Sequence, residues 1–298
     1  MNDQYCGVWT ALVTPFQQNG QIDWDSFDAL LKRQVDAGIK GVVLSGTTGE
    51  SPTLTVQENM SLVRRAKAAY GDKLLVMGGV GGNNTSQATE LARLTSESGA
   101  DCLLAVTPPY NKPSLAGLTA HYQSLISAQP KPICLYHVPG RTGQKLSPEE
   151  LSQLAKLPGI SMVKEASADI GLFSRSKIKS ENEAVFLSGD DTTFLASLAV
   201  GSGGVISVLT NIFPSAYVKI YNSFKKGDLD TAIKLHDCLL EFVDILFCEP
   251  NPCPTKAVLK HLGLCENIFR LPLVPVDDGN YDRIISCYEV TRTELESL

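Results

Sequence analysis

"ICLYHVPGRTGQKLSPEELSQLAKLPGISMVKEA", residues 133 to 166, contains one full unit of a repeating pattern. The apolar run 133–138 reads as a strand and ends in a Pro-Gly turn. Ser147-Pro148-Glu149-Glu150 then opens a helix, with serine as cap, proline at the first helical position and glutamate three residues on. A second apolar run, 160–166, follows as the next strand. Two strands joined through a helix are expected to lie parallel, because a hairpin turn is too short to make that connection and a crossover is not. Lys164 interrupts the second strand, on the same face as Met162 and Ala166 because strand side chains alternate. Burying an unpaired ammonium there costs several kcal/mol, so this lysine needs a reason.

The unit recurs along the chain. Strands are expected at 8–14, 41–46, 74–79, 101–107, 133–138, 160–166, 184–189 and 204–209, with the Val/Ile/Leu content of strands covered on both faces. Asp23 caps a helix carrying Phe27, Leu30 and Leu31, and Thr55 with Glu58 forms a capping box. Eight strand–helix units predict an α/β fold, a (β/α)8 TIM barrel. The strand signal ends near residue 226, and three further amphipathic stretches follow. They predict a barrel over 1–225 and C-terminal helices over 226–298, with no linker between them.

The 298 residues carry 43% hydrophobic and 19% charged side chains and a net charge of −6, as in a soluble globular protein with a large core. No basic stripe exists to attract nucleic acid or an acidic membrane surface. The N-terminus lacks a signal-peptide pattern and no apolar run could span a bilayer, which predicts a cytoplasmic protein. The eight cysteines have no framework spacing, and "CEPNPC" (248–253) has no histidine at ligand distance, so free thiols and no metal are expected. His121, His137, His236 and His261 likewise lack ligand spacing.

In a barrel of this kind, chemistry gathers where the strands end. Lys164 lies near the end of the sixth strand, where burial favours the neutral amine, the form that attacks a carbonyl to give a Schiff base. The alternatives are a rim lysine reaching water or pairing with Glu165. The second strand ends in "SGTTGES" (45–51), whose paired hydroxyls and tight turn suit a small carboxylate. The fifth ends in "YHVPGRTG" (136–143), offering the Tyr136 phenol and the Arg141 guanidinium, the latter suited to a second carboxylate. His137 should point away from the pocket. "TPPYNKPS" (107–114) sets Tyr110 at the same end. Of two glycine clusters, 201–204 precedes the eighth strand and lies at the wrong end; 78–84 follows the third and leaves a phosphate-binding barrel as an alternative. No Walker motif is present.

Taken together, "GTTGES", "TPPYNKP", "LYHVPGRTG", "VKEAS", "GGVISV" and "EPNPCPTKAVL", in this order, closely resemble the dihydrodipicolinate synthase family of pyruvate-dependent, Schiff-base-forming aldolases and lyases. The resemblance covers essentially the whole chain. It implies condensation of pyruvate with aspartate 4-semialdehyde, on the route to diaminopimelate and lysine, with no cofactor. It also implies roles: Lys164 forms the Schiff base, Thr48 binds the pyruvate carboxylate, and Thr47, Tyr136 and Tyr110 form a proton relay. Tyr110 would come from a neighbouring subunit of a homotetramer or homodimer. Arg141 would bind the semialdehyde carboxylate, with the Ile206 carbonyl and Gly189 lining the pyruvate site.

Arg141 and the Gly-Thr-Thr-Gly turn separate this chain from N-acetylneuraminate lyases, and Arg141 from sugar-acid aldolases, the alternatives within the superfamily. A silent keto-acid sensor is a further alternative, whose expected mark is loss of Lys164 or Tyr136. His137 stands where asparagine is commoner, and Pro109 where a tyrosine often precedes Tyr110. Val56, Asn59 and Gln87 occupy positions where strongly lysine-inhibited members often carry His or Glu, so weak or absent feedback by lysine is expected.

Overall fold

The computed structural model describes residues 3–298. Its strands are β1 (Gly7–Ala11), β2 (Gly41–Leu44), β3 (Leu75–Gly79), β4 (Cys102–Val106), β5 (Ile133–His137), β6 (Ile160–Glu165), β7 (Val185–Ser188) and β8 (Gly204–Ser207). They close in chain order into one barrel, every pair parallel, with β8 returning to β1. The expected fold is therefore the observed one. Helices α1 (Trp24–Asp36), α2 (Val56–Tyr70), α3 (Thr85–Glu97), α4 (Leu115–Ser127), α5 (Pro139–Thr142), α6 (Pro148–Ala155), α7 (Ile170–Lys179), α8 (Phe194–Ala199) and α9 (Pro214–Lys226) connect and surround the strands. Beyond them come α10 (Leu229–Ile245), α11 (Cys253–His261) and α12 (Asp278–Ser297).

The helix starts follow their local chemistry. Asp23 accepts the Ser26 N–H, and Thr55/Glu58 and Ser147/Glu150 each form the reciprocal capping box. Within α1 the buried face includes Gln34, tolerated because its Oε1 accepts the Thr10 hydroxyl at 2.7 Å.

Two apolar layers result. One fills the space between sheet and helices; the other fills the barrel with Trp9, Val43, Met77, Leu104, Cys134, Tyr136, Met162, Leu187 and Ile206, among others. β6 enters the interior by an irregularity. Ile133 pairs with Ile160 but the next residue, Cys134, pairs with Met162, leaving Ser161 as a bulge. Ile160 belongs to the outer layer and Met162 to the inner one. The extra residue resets the alternation, so Met162, Lys164 and Ala166 face inward.

The C-terminal helices are tied to the barrel. Arg270 donates to both Glu58 carboxylate oxygens and to the carbonyls of Gly20 and Thr53. Hydrogen bonds from Arg270 hold the Glu58 carboxyl down at about 2, against an ordinary 4.5. A depressed carboxylate stabilises the fold above its unfolded value and loses that contribution as pH falls. With the shift discounted for solvent screening of a partly exposed pair, stability should thus decline by about 1–2 kcal/mol from this group as pH falls from 4.5 through about 2. Urea unfolding across that window should show Glu58→Gln less stable than the parent at pH 7 and equal to it near pH 2; a parallel offset at all pH values would contradict this.

Candidate active site

Lys164 and Tyr136 are register partners on β6 and β5, so both side chains enter the barrel at one level. The lysine is 5% exposed, which excludes a rim lysine in water. Its Nζ lies 4.4 Å from the centroid of the Tyr136 ring. It is not paired with Glu165, which points the other way: the Glu165 carboxylate meets His137 Nδ1 at 3.1 Å and accepts the Ser167 N–H at 2.9 Å. The His137 Nε2 accepts the Leu146 N–H at 3.1 Å, which places the ring proton on Nδ1. His137 is thus outside the pocket, as expected, pinning the segment after β5. One layer below, burial pushes the Cys134 thiol up to about 12, so it stays protonated beneath the amine.

A cavity of about 130 Å³ opens above Lys164, walled by Thr47, Thr48, Tyr136, Arg141, Ala166, Gly189, Val208 and Asn251, among others. It has room for a molecule of a few heavy atoms. A wider basin of about 600 Å³ shares Thr47, Tyr136 and Arg141 with it and extends to Val56, Asn59, Gln87 and Pro109.

Each wall has a local cause. The 45–50 turn is tight: Ser45 and Glu50 both have positive φ, at 53° and 56°, and the Glu50 N–H bonds the Thr47 carbonyl. Gly189 is required by the lysine itself, since a Cβ there would lie 2.7 Å from Lys164 Cε and 2.6 Å from Ala166 Cβ. The end of β8 is fixed by buried Asp191, whose Oδ2 accepts the N–H groups of Val208 and Leu209 at 3.0 and 3.3 Å. Arg141, on α5 just after β5, is exposed and makes no ion pair among the described residues.

Of the expected residues, Lys164, Tyr136, Thr47, Thr48, Arg141 and Gly189 meet at this cavity. Ile206 is wholly buried in the barrel layer, and Val208 supplies the β8 wall. Tyr110 is 88% exposed with φ 71° and does not line the cavity within this chain. Gly79, Gly81 and Gly82 border the wider basin, and Asn84 caps α3 with its own side chain by accepting the Gln87 N–H, as a phosphate would otherwise do.

Asn251, Asp190, Val208 and Phe247 also line the cavity and were not anticipated. Asn251 stands inside the quoted "EPNPCPTKAVL" motif, but nothing local in that motif reveals that it reaches a turn some two hundred residues earlier.

Comparison with known proteins agrees with this geometry. The Dihydrodipicolinate synthetase family matches residues 4–289. The 4-hydroxy-tetrahydrodipicolinate synthase of Leptospira biflexa serovar Patoc is 40% identical over 273 residues, 92% of each chain. That of Fervidobacterium nodosum is 42% identical over 279 residues, 93% of this chain and 95% of that one. The structure of the enzyme of that name from Methylacidiphilum fumariolicum SolV superposes with a TM-score of 0.95 at 34% identity, covering 98% of this chain and 97% of the other. With a closed eight-stranded barrel, an inward lysine beside a phenol, and likeness over nearly its whole length, the chain belongs to the dihydrodipicolinate synthetase family.

Proposed function

We propose that the protein is a lyase that condenses pyruvate with L-aspartate 4-semialdehyde through an imine on Lys164, giving 4-hydroxy-tetrahydrodipicolinate on the route to diaminopimelate and lysine. The observation that carries this reading is the Lys164 amine enclosed over the Tyr136 ring, in a small chamber shared with two threonine hydroxyls.

The amine of Lys164 attacks C2 of pyruvate and water leaves, forming an iminium. That group is the electron sink, so no cofactor is invoked. Loss of a C3 proton gives the enamine, and C3 attacks the aldehyde carbon. Tyr136 moves protons at the imine and alkoxide stages, with Thr47 as its neighbour in the relay. The amino group of the second substrate then attacks C2, closes the ring and releases Lys164. One water is lost overall. Thr48 holds the pyruvate carboxylate, with Gly189 and the Ile206 carbonyl at the same site. Arg141, facing both chamber and basin, holds the carboxylate of the aldehyde.

Tyr110 completes the relay from a second copy in a homodimer or homotetramer, a role suited to a tyrosine presented outward on a rigid loop. Sedimentation showing a fully active monomer would remove Tyr110 from the relay. Val56, Asn59 and Gln87 give the basin no carboxylate or imidazole, which supports weak or absent inhibition by lysine. Half-inhibition below the millimolar range in a lysine titration would reject that. No described helix is long and apolar enough to cross a membrane. We place the protein in the cytoplasm, where eight free cysteines are at home.

The test is borohydride reduction in the presence of pyruvate followed by peptide mass mapping. The expected adduct lies on the peptide bearing Lys164. An adduct elsewhere would refute the site, and no adduct would refute the mechanism. Turnover with a sugar-acid aldehyde in place of aspartate 4-semialdehyde would instead favour the aldolase reading.

A further inference from the structure

We infer that Asn251 is a positioning residue that makes the Thr48 hydroxyl a hydrogen-bond donor towards the substrate carboxylate. The inference rests on the carboxylate-binding reading of Thr48 given above.

Thr48 is 3% exposed, and its Oγ1 accepts a hydrogen bond from Asn251 Nδ2 at 2.9 Å, with no other partner for that atom among the described residues. A hydroxyl has one hydrogen and two lone pairs. With one lone pair engaged by the amide N–H, its own hydrogen cannot point at Asn251 and is left to turn into the chamber that both residues line. A carboxylate only accepts hydrogen bonds, so a threonine set in this way matches it; one that donated to its protein neighbour would present lone pairs and repel it.

The backbone of Asn251 is well enclosed, while its Oδ1 is buried without a hydrogen-bond partner among the described residues, so Thr48 is the amide group's one hydrogen-bond partner among them. Asn251 is 6% exposed and stands two residues before α11, every residue of which from Cys253 to Leu259 is buried. On that helix Lys256 Nζ meets Glu50 Oε1 at 2.5 Å and donates to the Ile268 carbonyl at 2.8 Å. Glu50 lies two residues after Thr48. The 48–50 and 251–256 segments are therefore clamped together at both ends, by Asn251 on Thr48 and by Lys256 on Glu50. On the far side, the Thr14 hydroxyl donates to the Gly49 carbonyl at 2.7 Å. The C-terminal segment thereby sets the direction of a hydroxyl on the second strand's turn.

The experiment is a double-mutant cycle in the intact enzyme, reading KM for pyruvate and kcat for Thr48→Val, Asn251→Ala and the pair, with Asn251→Asp alongside. Thr48→Val should raise KM for pyruvate about tenfold, and Asn251→Ala about fivefold, each more than it lowers kcat. If Asn251 acts through Thr48, its replacement should add less than about twofold once Thr48 is valine. Asn251→Asp, which accepts and cannot donate when ionised, should be worse than Asn251→Ala. An Asn251→Ala enzyme with unchanged KM, a penalty that persists undiminished in the Thr48→Val background, or an Asn251→Asp enzyme that outperforms Asn251→Ala would each overturn the inference while leaving the carboxylate site standing. Unchanged pyruvate affinity in Thr48→Val would overturn that site, and the inference with it. Thermal midpoints identify a variant that fails to fold; if Asn251→Ala does, Asn251→Asp is compared with the parent enzyme, a raised KM for pyruvate supporting the inference and an unchanged one overturning it.

Discussion

Lys164→Met should lower turnover by at least about 10⁴-fold while leaving unfolding free energy within about 1 kcal/mol of the parent. The first half follows from chemistry: methionine has no amine, and no other lysine lines the chamber. The second follows from the surroundings. Lys164 is buried beside Met162, Ala166 and Leu187 and has no carboxylate partner among the described residues, so an unbranched apolar side chain of similar length fits its space. Any attraction between the amine and the Tyr136 ring is lost, but a methionine sulfur on an aromatic ring recovers about 0.3–1.5 kcal/mol. Residues kept for reaction rather than packing show this separation of activity from stability. Turnover within a hundredfold of the parent would rule out an essential imine. Destabilisation by several kcal/mol in urea would show the ammonium to be structurally paired.

How far the sequence carried this reading depends on the range of the forces involved. The caps at Asp23, Thr55 and Ser147 were legible because a cap acts within four residues. The inward face of β6 was legible because Met162, Lys164 and Ala166 follow simple alternation. Counting from Ile160 would have turned the lysine outward; the bulge at Ser161, which corrects this, has no sequence signal of its own. Strand ends were overrun for a physical reason. The apolar run at 8–14 continues past Ala11, where sheet pairing ends, because Leu12, Val13 and Thr14 remain buried and bond to Val43, Asn211 and Gly49. The run 41–46 stops short at Leu44 because Ser45 turns to positive φ.

The site divides in the same way. Lys164 and Tyr136 lie at the ends of β6 and β5, and the two threonines and Arg141 in the segments that follow β2 and β5, so topology alone brings them to one mouth. Gly189 needed coordinates to explain, since its role is to leave room for the lysine stem. Asn251 was hidden because its partner is 203 residues away. The helices after residue 226 were expected beyond the barrel. One of them, α11, is a buried helix that leads from the chamber wall, so the C-terminal segment belongs to the site as well as to the surface.

The same substitution at the second buried lysine should have the reverse outcome. Lys256→Met is expected to destabilise the protein by about 3–5 kcal/mol, because it leaves the Glu50 carboxylate buried without its counter-ion. Both side chains are fully buried, and the Lys256 Nζ also sits 4.4 and 4.7 Å from the rings of Phe16 and Phe269. Burial pushes the Glu50 carboxyl up and the Lys256 amine down, each opposed by its partner. On both groups burial outweighs the partner's attraction, so the pair adds little stability of its own, and the cost lies in breaking it rather than in lacking it. Glu50→Leu combined with Lys256→Met should accordingly be more stable than Lys256→Met alone. Urea midpoints with an unchanged denaturant slope would measure both effects. Additive losses in the double variant would mean that the two charges are independently satisfied, and the contrast between a lysine kept for reaction and a lysine kept for structure would not hold.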